Sequence, residues 1–345
     1  MLNKEFDANV LSKFLKCDVN SLWDKDVPGY IFEDEGEEDE EDEQDEDEHE
    51  EDEDEDDIRR LIHKSDITFE DIAGLDIAKN DMKYAFATSL VKAPKGVIIP
   101  QIRNILLYGP AGCGKTLIAA ASSNCLGVEL YSVKISDILS QWYGKTSKFI
   151  NSLYREARKH RSIIFLDEFD AIASDRDTTN SSADQKLVAS LLMELDGLNE
   201  KNATNNVMTI AATNKPWAID FAILSRFEKQ IYIPLPDDET RKKMLHLQLT
   251  SRGYEFNFRP SYFVEHTVGL SNREISHLLK IMIEAMIYEA NPNMYNIPMH
   301  ELPEYELKII PLTKNHLVNA CKRIRINTNQ NIIQEFELWR SEQQQ

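Results

Sequence analysis

Gly109-Pro110-Ala111-Gly112-Cys113-Gly114-Lys115-Thr116 follows directly on the apolar run Ile105-Leu106-Leu107-Tyr108, and Leu117-Ile118-Ala119-Ala120-Ala121 opens a helical stretch after it. Strand, glycine-rich turn and helix in that order predict a phosphate-binding loop of the form G-x-x-x-x-G-K-[ST]. Its glycines let successive backbone N–H groups turn inward around an anion, at a helix N-terminus that already favours negative charge. The spacing assigns Gly109, Pro110, Ala111, Gly112, Cys113, Gly114, Lys115, Thr116 and Leu117 to the phosphates of ATP. Lys115 is expected to reach the β- and γ-phosphates, and the Thr116 hydroxyl to ligate Mg²⁺.

A second apolar strand, Ile163-Ile164-Phe165-Leu166, ends in Asp167-Glu168. Two carboxylates at a strand's C-terminal edge are costly unless a cation sits beside them. Asp167 is therefore assigned to the Mg²⁺ shell and Glu168 to polarising the attacking water. Strands expected at 104–108, 128–133, 162–167, 207–212 and 230–233 alternate with helical stretches. That pattern predicts an α/β fold, a doubly wound parallel sheet with its ligand at the strands' C-terminal edge. After Pro234-Leu235-Pro236 only helices are expected, at 238–250, 272–289, 313–323 and 331–340, with a proline-rich loop at 291–311. The expected organisation is an N-terminal segment at 1–32 and an acidic linker at 33–57. A large ATPase domain at 67–236, an all-helical lid at 237–329 and a C-terminal helix at 330–345 follow.

The net charge of −21 comes from one place. Residues 33–57 hold 22 acids and no Lys or Arg, which leaves 38 acids against 39 bases elsewhere. The folded part is nearly neutral, so no global field argues for nucleic acid. The acidic run repels itself and cannot bury a core, and disorder is the expectation. Val10, Leu11, Phe14 and Leu15 before it stand at helical spacing. The four cysteines, Cys17, Cys113, Cys125 and Cys321, lack metal spacing and suit a reducing compartment. No apolar run has membrane-spanning length and the N-terminus has no signal-peptide core, so a cytoplasmic protein is expected.

Taken together, Ile67-Thr68-Phe69-Glu70-Asp71-Ile72-Ala73-Gly74-Leu75, the phosphate loop, Asp167-Glu168-Phe169-Asp170, Ala212-Thr213-Asn214 and Arg226-Phe227-Glu228 stand in the order found in AAA ATPases, a family this chain resembles from about Ile67 to Arg340. Gln141-Trp142-Tyr143-Gly144, Asn214-Lys215-Pro216-Trp217 and a C-terminal helix with Phe336 and Trp339 resemble the katanin, spastin and vacuolar-protein-sorting group. Within it the similarity points to the ATPases that disassemble ESCRT-III filaments, including archaeal cell-division members. The resemblance implies a P-loop AAA+ module working as a homo-oligomeric, hexameric ring. It implies Asn214 orienting the water, Arg226 as a finger into the neighbouring subunit's site, and Asp71, Ile72, Ala73 and Gly74 around the adenine. Trp142 and Tyr143 would grip an extended polypeptide.

There are departures from the family's pattern. Ser225-Arg226 offers one arginine where relatives carry two. Gly144-Lys145-Thr146-Ser147 replaces acids with a cation after the pore aromatics. Asn272-Arg273-Glu274 stands where the lid usually has small residues, which places Arg273 either on phosphate or on an exposed helix face. The resemblance leaves a protein remodeller acting on ESCRT-III-like filaments as the leading function. Microtubule severing or general protein unfolding, and a nucleotide-gated scaffold with little turnover, are the alternatives. The acidic linker argues against severing, and the full set Asp167, Glu168, Asn214 and Arg226 argues against a scaffold.

Overall fold

A computed structural model describes residues 58–91, 94–95, 97, 101–141, 145–172, 182–197, 207–325 and 330–342. The sheet has five strands: β1 (Asn104–Tyr108), β2 (Glu129–Lys134), β3 (Ser162–Asp167), β4 (Val207–Thr213) and β5 (Lys229–Tyr232). All pairings are parallel and the order is β2-β3-β4-β1-β5, so the strand that feeds the glycine-rich loop is an interior one, between β4 and β5. The strands fall within a residue or so of their expected positions.

Every residue of β1 is buried, because both faces of the sheet are covered. Alternate side chains enter opposite layers. Ile105 and Leu107 pack with Phe69, Met82, Phe86 and Ile118, from the side of α1 (Asp76–Leu90) and α2 (Lys115–Leu126). Leu106 and Tyr108 pack with Phe149, Leu153, Leu187 and Leu191. Those come from α4 (Thr146–Arg158) and α5 (Ser182–Leu195), and the short α3 (Ile135–Gln141) precedes them. The one-turn α6 (Phe221–Leu224) lies between β4 and β5.

Beyond Pro236 a separate apolar cluster gathers Leu245, Phe263, Leu278, Met282 and Leu317. It is built from α7 (Asp238–Gln248), α8 (Pro260–His266), α9 (Asn272–Ala290) and α10 (Lys314–Arg323). Helix α8 was not among the expected helices. It is one of the shorter ones, and its sequence signal is Pro260 at the first helical turn, where a missing N–H costs nothing. The stretch 291–311 holds two 3₁₀ turns, Met294–Asn296 and Leu302–Glu304. Buried Asn291 ties its ends together: Nδ2 donates to Lys308 O at 2.9 Å, and Oδ1 accepts from Lys308 N and Tyr305 OH, each at 3.0 Å.

The last helix, α11 (Gln330–Glu342), returns to the sheet. Phe336 and Trp339 are buried there, Trp339 edge-on to Tyr108 at 4.7 Å and Phe336 against Trp217 at 5.0 Å. Burial of Phe336 alone stabilises this contact by about 1.5–3 kcal/mol. Since Tyr108 is the residue before Gly109, the helix supports the strand end that launches the loop.

Packing begins before the expected start at Ile67. Ile58 is fully buried and Ile62 forms an antiparallel bridge to Tyr131 on β2. His63 N donates to Leu130 O at 2.8 Å and Ser132 N to Leu61 O at 3.1 Å. This short addition covers an otherwise open sheet edge. None of the described helices is long and apolar enough to cross a membrane.

Candidate nucleotide site

The loop between β1 and α2 turns on Gly114, which caps α2 in the left-handed region at φ 105°. Gly112 has no room for a side chain: a Cβ there would stand 2.9 Å from Arg273 Cβ. The N-terminus of α9 leans on this loop, Arg273 N donating to Gly112 O at 3.0 Å and Asn272 Nδ2 to Cys113 O at 2.9 Å. A reciprocal cap between Ser271 and Glu274 fixes that helix start. Arg273 itself is exposed. Cys113 is buried, its thiol pushed up to about 12 by burial, which makes it a packing residue without reactivity.

Lys115 is 7% exposed, and its ammonium donates to Gly109 O at 2.8 Å, Pro110 O at 3.0 Å and Asn214 Oδ1 at 2.7 Å. Burial pulls its pKa down to about 8, opposed by the Asp167 and Asp170 carboxylates and reinforced by Arg273. All three acceptors are neutral, so an anion entering the loop would be a better partner than any of them. Thr116 Oγ1 donates to Asp167 Oδ2 at 3.1 Å, and the exposed Leu117 follows. A hydroxyl and a carboxylate side by side are hard oxygen ligands of the kind Mg²⁺ takes. The donor set therefore fits a nucleoside triphosphate with its magnesium ion.

Glu168 adopts a left-handed backbone at φ 53°, uncommon for a residue with a Cβ and concentrated at functional sites. Its Oε2 accepts from Ser136 Oγ at 2.9 Å, and Lys134 Nζ lies 3.9 Å from Oε1. Asp167 Oδ1 accepts from Glu168 N at 2.8 Å, so the two acids are braced against each other. Asn214 stands just past β4, beside β3, with its amide oxygen on Lys115. Asp170 sets that position: its Oδ1 accepts from Thr213 Oγ1 at 2.8 Å and from Asn214 N at 3.2 Å. The sequence shows Asp170 beside the paired acids but gives it no role.

The structure thus brings together Lys115, Thr116, Asp167 and Asn214, with Glu168 next to Asp167 but held toward Ser136. Arg226 is held elsewhere. It lies in the turn after α6, with Nε 2.5 Å and Nη2 3.1 Å from the Asp196 carboxylate and Nη1 2.9 Å from Ser225 Oγ. Ser225 is thus a hydrogen-bond acceptor for the arginine.

The segment 71–74 runs beside the loop. Asp71 is a capping residue: Thr68 donates to it from Oγ1 at 2.7 Å and N at 2.8 Å, holding its carboxyl below the usual range. Ile72 packs on the sheet side and Ala73 on the helical cluster, while Gly74 approaches α7 so closely that a Cβ would meet Thr240 Oγ1 at 2.1 Å. Leu75 Cδ1 would lie 3.8 Å from a Cβ on Gly114. Trp142 and Tyr143 lie outside the described residues.

Residues 105–235 match the model of the ATPase family associated with various cellular activities (AAA). Vacuolar protein sorting-associated protein 4A of Homo sapiens is 34% identical over 226 residues, covering 64% of this chain and 51% of the relative. Cell division protein C of Sulfolobus acidocaldarius is 34% identical over 223 residues, covering 63% of this chain and 59% of the relative. The chain thus spans about half the length of these relatives. The crystal structure of the FIGL-1 AAA domain in complex with ADP superposes with a TM-score of 0.67 at 24% identity, over 83% of this chain and 96% of that one, which shows the fold. With the parallel five-stranded sheet and the loop at the end of its interior strand β1, the family match identifies residues 105–235 as an AAA domain.

Proposed function

We propose that this chain is an ATP-hydrolysing protein remodeller that works in the cytoplasm as a homo-oligomeric, hexameric ring on filaments of the ESCRT-III type. The observation that carries the enzymatic part is the Thr116–Asp167 hydroxyl–carboxylate pair beside the buried Lys115 ammonium, at the C-terminal edge of the sheet. On this reading Lys115 leaves the Gly109 and Pro110 carbonyls and Asn214 to pair with the β- and γ-phosphates. Thr116 and Asp167 hold Mg²⁺, which when bound neutralises phosphate charge. Glu168 takes the proton of the attacking water, and Asn214, freed from Lys115, orients it. Arg226 exchanges Asp196 for the γ-phosphoryl group in a neighbouring subunit, and Asp71, Ile72, Ala73 and Gly74 line the adenine.

The substrate part rests on the similarity to vacuolar protein sorting-associated protein 4A and cell division protein C, and on Trp142-Tyr143 as a sequence-tolerant aromatic grip. Trp142→Ala tests it. Phosphate release should stay within about twofold of wild type, while depolymerisation of ESCRT-III-like filaments, followed by light scattering, should be lost. A variant that loses hydrolysis together with several kcal/mol of folding stability would mark Trp142 as a core residue instead.

A further inference from the structure

Asn104 opens β1, is 5% exposed, and has no part in the chemistry above. An amide buried so deeply requires acceptors for both of its N–H groups. It finds them in two carbonyls distant in sequence: Nδ2 donates to Leu195 O, at the end of α5, at 3.0 Å and to Arg226 O at 2.9 Å. Its main-chain N–H donates to Glu228 Oε2 at 2.7 Å. The residue after Leu195 is Asp196, whose carboxylate carries the Arg226 guanidinium. One side chain therefore fixes both stretches of backbone from which that ion pair is built. It does so from β1, an interior strand whose other end runs into Gly109.

We propose that Asn104 is a positioning residue for Arg226: by holding the Leu195 and Arg226 carbonyls to β1, it sets the point from which the guanidinium reaches the adjacent subunit. The proposal rests on the reading of Arg226 as acting across subunits. Without the amide, two carbonyls lose their donor, and the turn bearing Arg226 is held to the strand only further along, by the Asn104 N–Glu228 bond and the β1–β5 pairing. A displacement of about 1 Å in a group that must meet a transition state lowers rates by about a hundredfold.

The experiment uses the full chain carrying Asn104→Ala. Turnover per subunit at saturating ATP should fall about tenfold to a hundredfold, with KM and nucleotide affinity within about twofold of wild type. Adding Asn104→Ala to Arg226→Ala should slow Arg226→Ala no further. Mixed rings give the decisive readout. A Glu168→Gln subunit has no turnover of its own but presents an intact Arg226, so it should restore turnover at the sites of Asn104→Ala subunits, as it should for Arg226→Ala. If Arg226→Ala is not rescued, the reading across subunits fails and this proposal fails with it. If Arg226→Ala is rescued but Asn104→Ala turns over like wild type, multiplies the Arg226→Ala defect, or is slow and not rescued, the positioning role alone is overturned. Should Asn104→Ala not fold, Asn104→Ser keeps one donor for one carbonyl, and the same mixtures are read from it.

Discussion

Glu168→Gln should abolish turnover while leaving nucleotide binding nearly intact. The amide keeps the size of the carboxylate and still accepts from Ser136 Oγ, so the left-handed turn after β3 has no reason to change. Asp167 and Thr116 are untouched, and with them the ligands assigned to Mg²⁺. What is lost is the ability to take a proton from water, which accounts for factors of about 10²–10⁴ in rate. Phosphate release and a nucleotide titration on the same preparation check it. Turnover within a few-fold of wild type would remove Glu168 from the reaction.

Lys115→Ala should act one step earlier, on affinity. The ammonium is the cation nearest the loop's carbonyls, and in the free protein it is satisfied by Gly109 O, Pro110 O and Asn214 Oδ1. Charge-assisted hydrogen bonds contribute about 1.5–3 kcal/mol each, so losing the contact to phosphate should weaken binding by at least about tenfold. A fluorescent-nucleotide titration measures this directly. Unchanged affinity would contradict the assignment of the phosphate loop.

The parts of this protein that were legible before its structure are those encoded in consecutive residues. β1 is apolar from Ile105 to Tyr108 because both of its faces are covered, and a glycine-rich turn follows it. Strand and loop were read from the same short stretch. β3 with Asp167-Glu168 behaves likewise. What escaped depends on contacts between distant segments. Ile58 and Ile62 look like the end of an acidic run until β2 supplies the edge they cover. Asn104 reads as an ordinary polar strand start, and its partners Leu195 and Arg226 lie on two other elements. Asn272 and Arg273 meet the loop only because the capped start of α9 is packed against Gly112 and Cys113. Asp170 was visible as a fourth residue after Leu166, yet its task, holding Asn214, exists only once β3 and β4 are neighbours.

In the single chain Arg226 is paired with Asp196 and not with any residue of the phosphate loop, Asp167 or Glu168 among the described contacts. A complete site on this account needs a second copy, and the direct test is turnover per subunit of the full chain with Mg²⁺ and ATP across a protein dilution series, paired with sedimentation of the same samples. The account predicts turnover that rises with the fraction of subunits in rings and vanishes where only single chains sediment. Undiminished turnover per subunit in samples that sediment as single chains would contradict it.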